Sequence, residues 1–115
     1  MVDTNTVVIS GMMSGEPTFD EGKKILKFKF RSFFCEAGFR NFVYFSVYMF
    51  GKRAEKNVGR LHINNPYMIK GRLSSFKDNI DHTNIIVIAE FIYKLDEDWY
   101  KEKSSESDDT IVPLE

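Results

Sequence analysis

Five stretches of this 115-residue chain alternate apolar and other side chains at a period of two. That period sends successive side chains to opposite faces, which is the geometry of a strand and not of an amphipathic helix. The stretches cover residues 6–13, 24–34, 41–50, 67–76 and 83–95. Breakers punctuate them: Ser14-Gly15-Glu16-Pro17 closes the first, Glu21-Gly22 opens the second, Gly38 parts the second from the third, and Asn64-Asn65-Pro66 precedes the fourth. Residues 52–60 read as a short helix or irregular turn. Ala54, Glu55 and Lys56 favour helix there, and Gly59 can end it.

The order strand, strand, strand, short helix, strand, strand predicts an all-β fold: a five-stranded barrel of the OB type, with the helix between strands 3 and 4. A β-sandwich needs more strands than this length supplies. Residues 1–95 form the predicted domain, long enough to bury a core without staples. The chain's one cysteine, Cys35, excludes an internal disulfide and any cysteine-based zinc cage. From residue 96 the composition turns acidic and serine-rich, so residues 96–115 are expected to be a flexible acidic tail, ending in the apolar Ile111-Val112-Pro113-Leu114.

The alternation also says what each face carries. On the second stretch Leu26, Phe28 and Phe30 point one way, and Lys27, Lys29, Arg31 and Phe33 the other. On the third, Val43, Phe45, Val47 and Met49 oppose Phe42, Tyr44, Tyr48 and Phe50, with Ser46 interrupting the second set. On the fourth, Ile69, Gly71 and Leu73 oppose Met68, Lys70, Arg72, Ser74 and Phe76. The first set of each pair is the expected core. The second sets mix cations with aromatic rings, and rings facing water need a reason.

Charge supplies one. The formal net charge of −1 is a cancellation: residues 1–94 carry 14 basic and 9 acidic side chains, and residues 95–115 carry 2 and 8. Within residues 22–77 the count is 13 basic against Glu36 and Glu55. A basic body suits a polyanion. Rings interleaved with Lys and Arg suit single strands, whose bases stack on rings while cations follow the phosphates. Tyr44, Phe50 and Phe33 are favoured for such contact. Phe42 and Tyr48 fit equally well against another subunit or a loop.

Several segments are similar, in order, to one family. Tyr48-Met49-Phe50-Gly51-Lys52-Arg53-Ala54-Glu55 resembles the motif of bacterial and phage single-stranded DNA-binding proteins (SSBs), where the third strand runs into Phe-Gly, then Lys and a helix with Ala-Glu. Val7-Val8-Ile9-Ser10-Gly11 with Glu16-Pro17 resembles the opening strand and its acidic-Pro turn. Ile69-Lys70-Gly71-Arg72-Leu73 resembles the fourth strand, and Ile86-Val87-Ile88-Ala89-Glu90 the last. The likeness spans most of residues 6–95, and the short, divergent chain resembles a phage-encoded member.

The resemblance implies a non-enzymatic protein that coats and protects single-stranded DNA during replication or recombination, largely independent of sequence. It implies stacking on Phe50 and Tyr44, on Phe33 (which parity favours over Phe34), and on Phe76, with Tyr48 added from its face. Lys23, Lys24, Lys27, Lys29, Arg31, Lys52, Arg53, Lys70, Arg72 and Lys77 are the expected phosphate contacts. It further implies a homo-oligomer, a tetramer favoured over a dimer, which the short apolar first strand would suit as a pairing edge. The chain departs from the family in two ways. Its one Trp, Trp99, lies outside the barrel, so Tyr and Phe would stack instead. Its tail, Asp108 to Glu115, is acidic and apolar but lacks the terminal Phe through which bacterial members recruit replication and repair proteins; a phage partner is the possible replacement.

Other constellations carry less. Asp78-Asn79-Ile80-Asp81-His82 falls between the fourth and fifth stretches, where turn residues belong. His62 and His82 are too far apart in sequence to suggest a metal pair, and Gly51-Lys52 lacks the spacing of a phosphate loop. No cofactor or metal is expected. With no membrane span and no basic region ahead of the first apolar run, a cytoplasmic setting is expected, the host's cytoplasm for a phage protein. OB folds bind RNA as well as DNA. The alternative function is a protein-interaction module, an accessory factor whose aromatic face meets a protein.

Overall fold

The computed structural model describes residues 3–101. The five predicted strands are present as β1 (Val7–Met13), β3 (Ile25–Glu36), β4 (Phe39–Phe50), β5 (Pro66–Lys77) and β6 (Thr83–Lys94). A three-residue strand, β2 (Thr18–Asp20), pairs with the start of β3 and was not foreseen. Three residues are too few to display a period. The helix α1 (Gly51–Asn57) starts one residue earlier and ends sooner than residues 52–60.

The long strands close on themselves in the ring β1-β5-β6-β4-β3, with β1 returning to β3. This is the five-stranded barrel. β1 lies along β5 from Val7↔Gly71 to Met12↔Pro66, but meets β3 at Met12 and Met13. β4 and β6 touch in parallel at Val47↔Val87 and Tyr48↔Ile88. Inside sit Leu26, Phe28, Phe30, Val47, Met49, Ile69 and Val87, all from the expected inward sets or the last strand. Ala54 of α1 is fully buried against them. Tyr67 is also buried, and its hydroxyl accepts from the His62 amide at 2.9 Å and donates to the Arg60 carbonyl at 3.3 Å, tying the segment after α1 to the barrel.

β3, β4, β5 and β6 each have twelve residues, about 40 Å of strand. Seven-residue β1 cannot follow them that far. The pairing β3–β4 therefore runs past the barrel to Glu36↔Phe39, and β5–β6 to Lys77↔Thr83. Two hairpin arms result. Val43 and Leu73 were expected in the core; Val43 lies on its arm and is 38% exposed, and Leu73, paired with Val87 at the edge of the barrel, is 43% exposed. The β3–β4 arm turns on Ala37 and Gly38, at φ 51° and 83°. Two consecutive residues of positive φ make the two-residue turn that matches strand twist.

Closure requires two close approaches. A Cβ on Gly11 would run into the Arg31 carbonyl where β1 meets β3. One on Gly71 would run into the Ile88 carbonyl, beside the β5–β6 register shift at Lys70/Gly71. Backbone cannot give way as a side-chain tip can. Gly71→Ala is expected to destabilise the fold by about 1–3 kcal/mol, the usual scale of overpacking, measured by chemical denaturation. A variant with the parent's midpoint would show that β5 and β6 are not held this close.

Candidate nucleic-acid interface

The outer face of β3–β4 is built by register. From arm tip to barrel base the facing pairs are Cys35↔Arg40, Phe33↔Phe42, Arg31↔Tyr44, Lys29↔Ser46, Lys27↔Tyr48 and Ile25↔Phe50. All lie on the side opposite Leu26, Phe28, Phe30, Val47 and Met49. Four of the five expected stacking residues, Phe33, Tyr44, Tyr48 and Phe50, share this face with three expected phosphate contacts, Lys27, Lys29 and Arg31. The fifth, Phe76, comes from the β5–β6 arm and brings its ring within 6.4 Å of the Tyr48 ring.

The rings fall into two groups. Phe33 and Phe42 are 5.5 Å apart, and Phe42 and Tyr44 6.3 Å. Tyr48 stands 6.4 Å from both Phe50 and Phe76. Ser46 separates the groups, and Lys29 Nζ donates to its hydroxyl at 2.6 Å. At about 6.6 Å per two strand residues, Tyr44 and Tyr48 stand about 13 Å apart along β4. A cleft of about 280 Å³ opens at this break, lined among others by Lys27, Lys29, Ser46 and Tyr48 and, from the β2 side, by Glu16 and Thr18.

Cations are laid on the rings. Arg31 lies 4.9 Å from the centre of Phe42, Arg40 5.2 Å from Phe33, and Lys27 5.4 Å from Tyr48. Each such contact contributes about 0.5–1 kcal/mol at an exposed site and holds the ring in place. Tyr44 is 64% exposed and Phe42 45%, so flat apolar area remains open to a ligand.

The other expected cations are spread more widely. Lys23 and Lys24 sit in the turn before β3, and Lys52 and Arg53 on α1. Arg53 lies 5.1 Å over Phe91, whose ring stacks with Tyr93 on a different sector of the barrel. Lys70 belongs to that sector, facing Phe91 across β5–β6 and Val8 across β1–β5. Lys24 is ion-paired with Glu55, Arg72 with Glu90 and Lys77 with Asp81. Exposed pairs of this kind are worth about 0–1 kcal/mol and are readily exchanged for a phosphate.

Sequence reasoning did not bring Arg40, Tyr100 and Lys101 beside this face, where they line a cleft with Met12, Arg31, Phe33 and Phe42. Arg40 falls in what the alternation leaves as loop, because the third strand begins two residues earlier than its pattern. Tyr100 and Lys101 lie in the acidic segment. Residues 97–101 form a helical turn, begun where Asp96 Oδ1 accepts from the Trp99 amide at 2.8 Å. The expected partner-recruiting tip from Asp108 to Glu115 lies outside the described residues.

Neither a protein-family model nor a curated protein matches the sequence. Solved structures do match. The small single-stranded DNA-binding protein of Streptomyces coelicolor superposes with a TM-score of 0.66 at 16% identity, over 78% of this chain and 91% of its own. A deletion mutant of the single-stranded DNA-binding protein of Thermus aquaticus gives 0.66 at 25% identity, over 82% of this chain and 51% of its own. Plasmodium falciparum SSB, in complex with single-stranded DNA, gives 0.71 at 13% identity, over 84% and 98%. The likeness is one of fold, over 78–84% of this chain.

A carboxylate braces the turn at the end of the arm that carries Phe76. Asp78 Oδ1 accepts from the His82 amide at 2.9 Å and the Ile80 amide at 3.0 Å, and Oδ2 from the Asn84 side chain at 3.5 Å. These donors, the His82 amide foremost, hold its carboxyl below the ordinary aspartate value of 3.8. The charged form accepts the bonds, so what they contribute to the turn is present above pH 3.8 and is lost as pH falls through the lower folded-state value. The expected result is an Asp78 carboxyl that titrates below 3.8 by NMR, with the His82 amide shift following it. Titration at or above 3.8 would contradict the bonding described.

Proposed function

We propose that this chain binds single-stranded DNA along the outer face of β3–β4, with Phe76 joining from the second arm. The observation that carries this reading is the pairing of ring with cation along that face, on a barrel superposable on three single-stranded DNA-binding proteins. Bases stack on Phe33, Tyr44, Tyr48, Phe50 and Phe76. Lys27, Lys29 and Arg31 meet phosphates first. Lys23, Lys52, Arg53 and Lys70 take a longer path around the barrel, and Lys24, Arg72 and Lys77 join by exchanging a carboxylate for a phosphate. Nothing in this chemistry reads a base edge, so binding is largely independent of sequence. The role is non-enzymatic coating and protection of single strands in replication or recombination, in the cytoplasm. A phage-encoded member is part of the same proposal.

Titration with oligo-dT at several salt concentrations tests the reading. The slope of log K against log salt is expected near −2 for the three central cations and near −7 for all ten, at about −0.7 per phosphate contact on single strands. No binding at low salt would defeat the proposal and favour the alternative, a protein-interaction module. Tyr44→Ala and Phe50→Ala should each weaken binding by about 5- to 150-fold, the equivalent of one lost stacked base. Parent-like binding by both would refute the stacking assignment.

The same reading includes a homo-oligomer, a tetramer in preference to a dimer. Val7–Gly11 of β1 pairs with β5 on one side, while β3 reaches β1 at Met12 and Met13. Val8 is 57% exposed on the same sector as Phe91 and Tyr93. Light scattering should return a multiple of the 13.4 kDa chain mass, and Val8→Glu should lower it. A parent that stays monomeric would exclude the assembly.

A further inference from the structure

Beyond β6 the chain does not leave the barrel. The Leu95 amide donates to the Pro66 carbonyl at 3.0 Å, which fixes the exit of β6 beside the start of β5. Asp96 then starts the helical turn, and the Tyr100 amide closes it on the Asp96 carbonyl at 3.0 Å. The turn carries Tyr100 and Lys101 around to the β3–β4 arm. There they form one wall of a cleft of about 410 Å³, whose other walls include Arg31, Phe33, Arg40 and Phe42. That volume is in the range of small-molecule sites, about 300–1,000 Å³.

The composition of the cleft selects its ligand. Three cations, Arg31, Arg40 and Lys101, surround three rings, and among the described residues no carboxylate lines it. Arg31 and Arg40 already lie on the Phe42 and Phe33 rings, so their charge is placed at the rim of the apolar surface. A flat apolar group bearing an anion is what such a cleft complements. A nucleotide has that form.

We propose that this cleft is a nucleotide subsite at the arm end of the single-strand path, in which Tyr100 adds a ring from outside the barrel and Lys101 a cation. The proposal rests on the single-stranded DNA reading above, and extends it to a segment that composition places in the acidic tail. A base enters among Phe33, Phe42 and Tyr100. Its phosphates meet Arg31, Arg40 and Lys101. Asp96 is a positioning residue, acting through the turn it begins.

Trp99, the one Trp in the sequence, neighbours Tyr100 on the same turn without lining the cleft, so its emission serves as a second readout. The experiment titrates the full chain, Tyr100→Ala, Tyr100→Phe and Tyr44→Ala with oligo-dT of about 16 nucleotides, the upper end for one OB fold. Affinity and Trp emission are read together, and thermal melts confirm that each variant is folded. Expected are a change in Trp99 emission at saturation, a loss of about 5- to 150-fold in Tyr100→Ala, and parent-like binding in Tyr100→Phe, which keeps the ring. If Tyr44→Ala binds weakly while Tyr100→Ala binds as well as the parent or better, the single-strand reading stands and the subsite falls. If the parent binds no oligo-dT, both readings fail together.

Discussion

The fold depends on one short strand doing two jobs. β1 has seven residues, pairs with β5 along most of its length, and reaches β3 with its last two. Closure is possible because Gly11 and Gly71 let backbone lie against backbone where any Cβ would collide. Because the closing strand is short and the other four are long, the barrel occupies only part of each hairpin. The remainder projects as arms, and residues on an arm have no interior to enter. Side chains on both its faces therefore meet solvent or a partner.

That geometry explains what was legible in the sequence. Leu26, Phe28, Phe30, Val47 and Met49 alternate within the barrel, where one face is sealed, and their burial follows from parity. Val43 and Leu73 obey the same parity but lie beyond the sealed region and at its edge respectively. Alternation states which face a residue takes, and not whether that face is covered. The outward set was equally legible, since Lys27, Lys29, Arg31, Phe33, Tyr44, Tyr48 and Phe50 share a face by counting alone. Phe76 needed the second arm to approach Tyr48, a contact between segments 28 residues apart in sequence. Arg40 needed the extent of the hairpin, and Tyr100 the path of the chain after β6. Both are tertiary facts with no local pattern to announce them.

The face is organised before any ligand arrives. Rings rest on neighbouring rings, and cations rest on rings, so few rotamers remain to be frozen on binding. Preorganisation of that kind lowers the entropic cost of association, which is otherwise about 0.5–1.5 kcal/mol for each side chain immobilised. The ion pairs of Lys24, Arg72 and Lys77 act in the opposite direction, since each must be broken before its cation can serve elsewhere. On the β3–β4 face Lys27, Arg31 and Arg40 are held by soft ring contacts and Lys29 by the Ser46 hydroxyl, while Lys24, Arg72 and Lys77 are held by carboxylates.

Ser46 gives the surface a joint. A single small hydroxyl between Tyr44 and Tyr48 divides a continuous ring surface into two holds, one on the arm and one on the barrel. On the proposed function, a strand gripped at both can let go of one while the other retains it. A second strand, or another molecule of this protein, can then take the vacated hold. Exchange would proceed by halves, so that tight binding at equilibrium and rapid handover are compatible in one small domain.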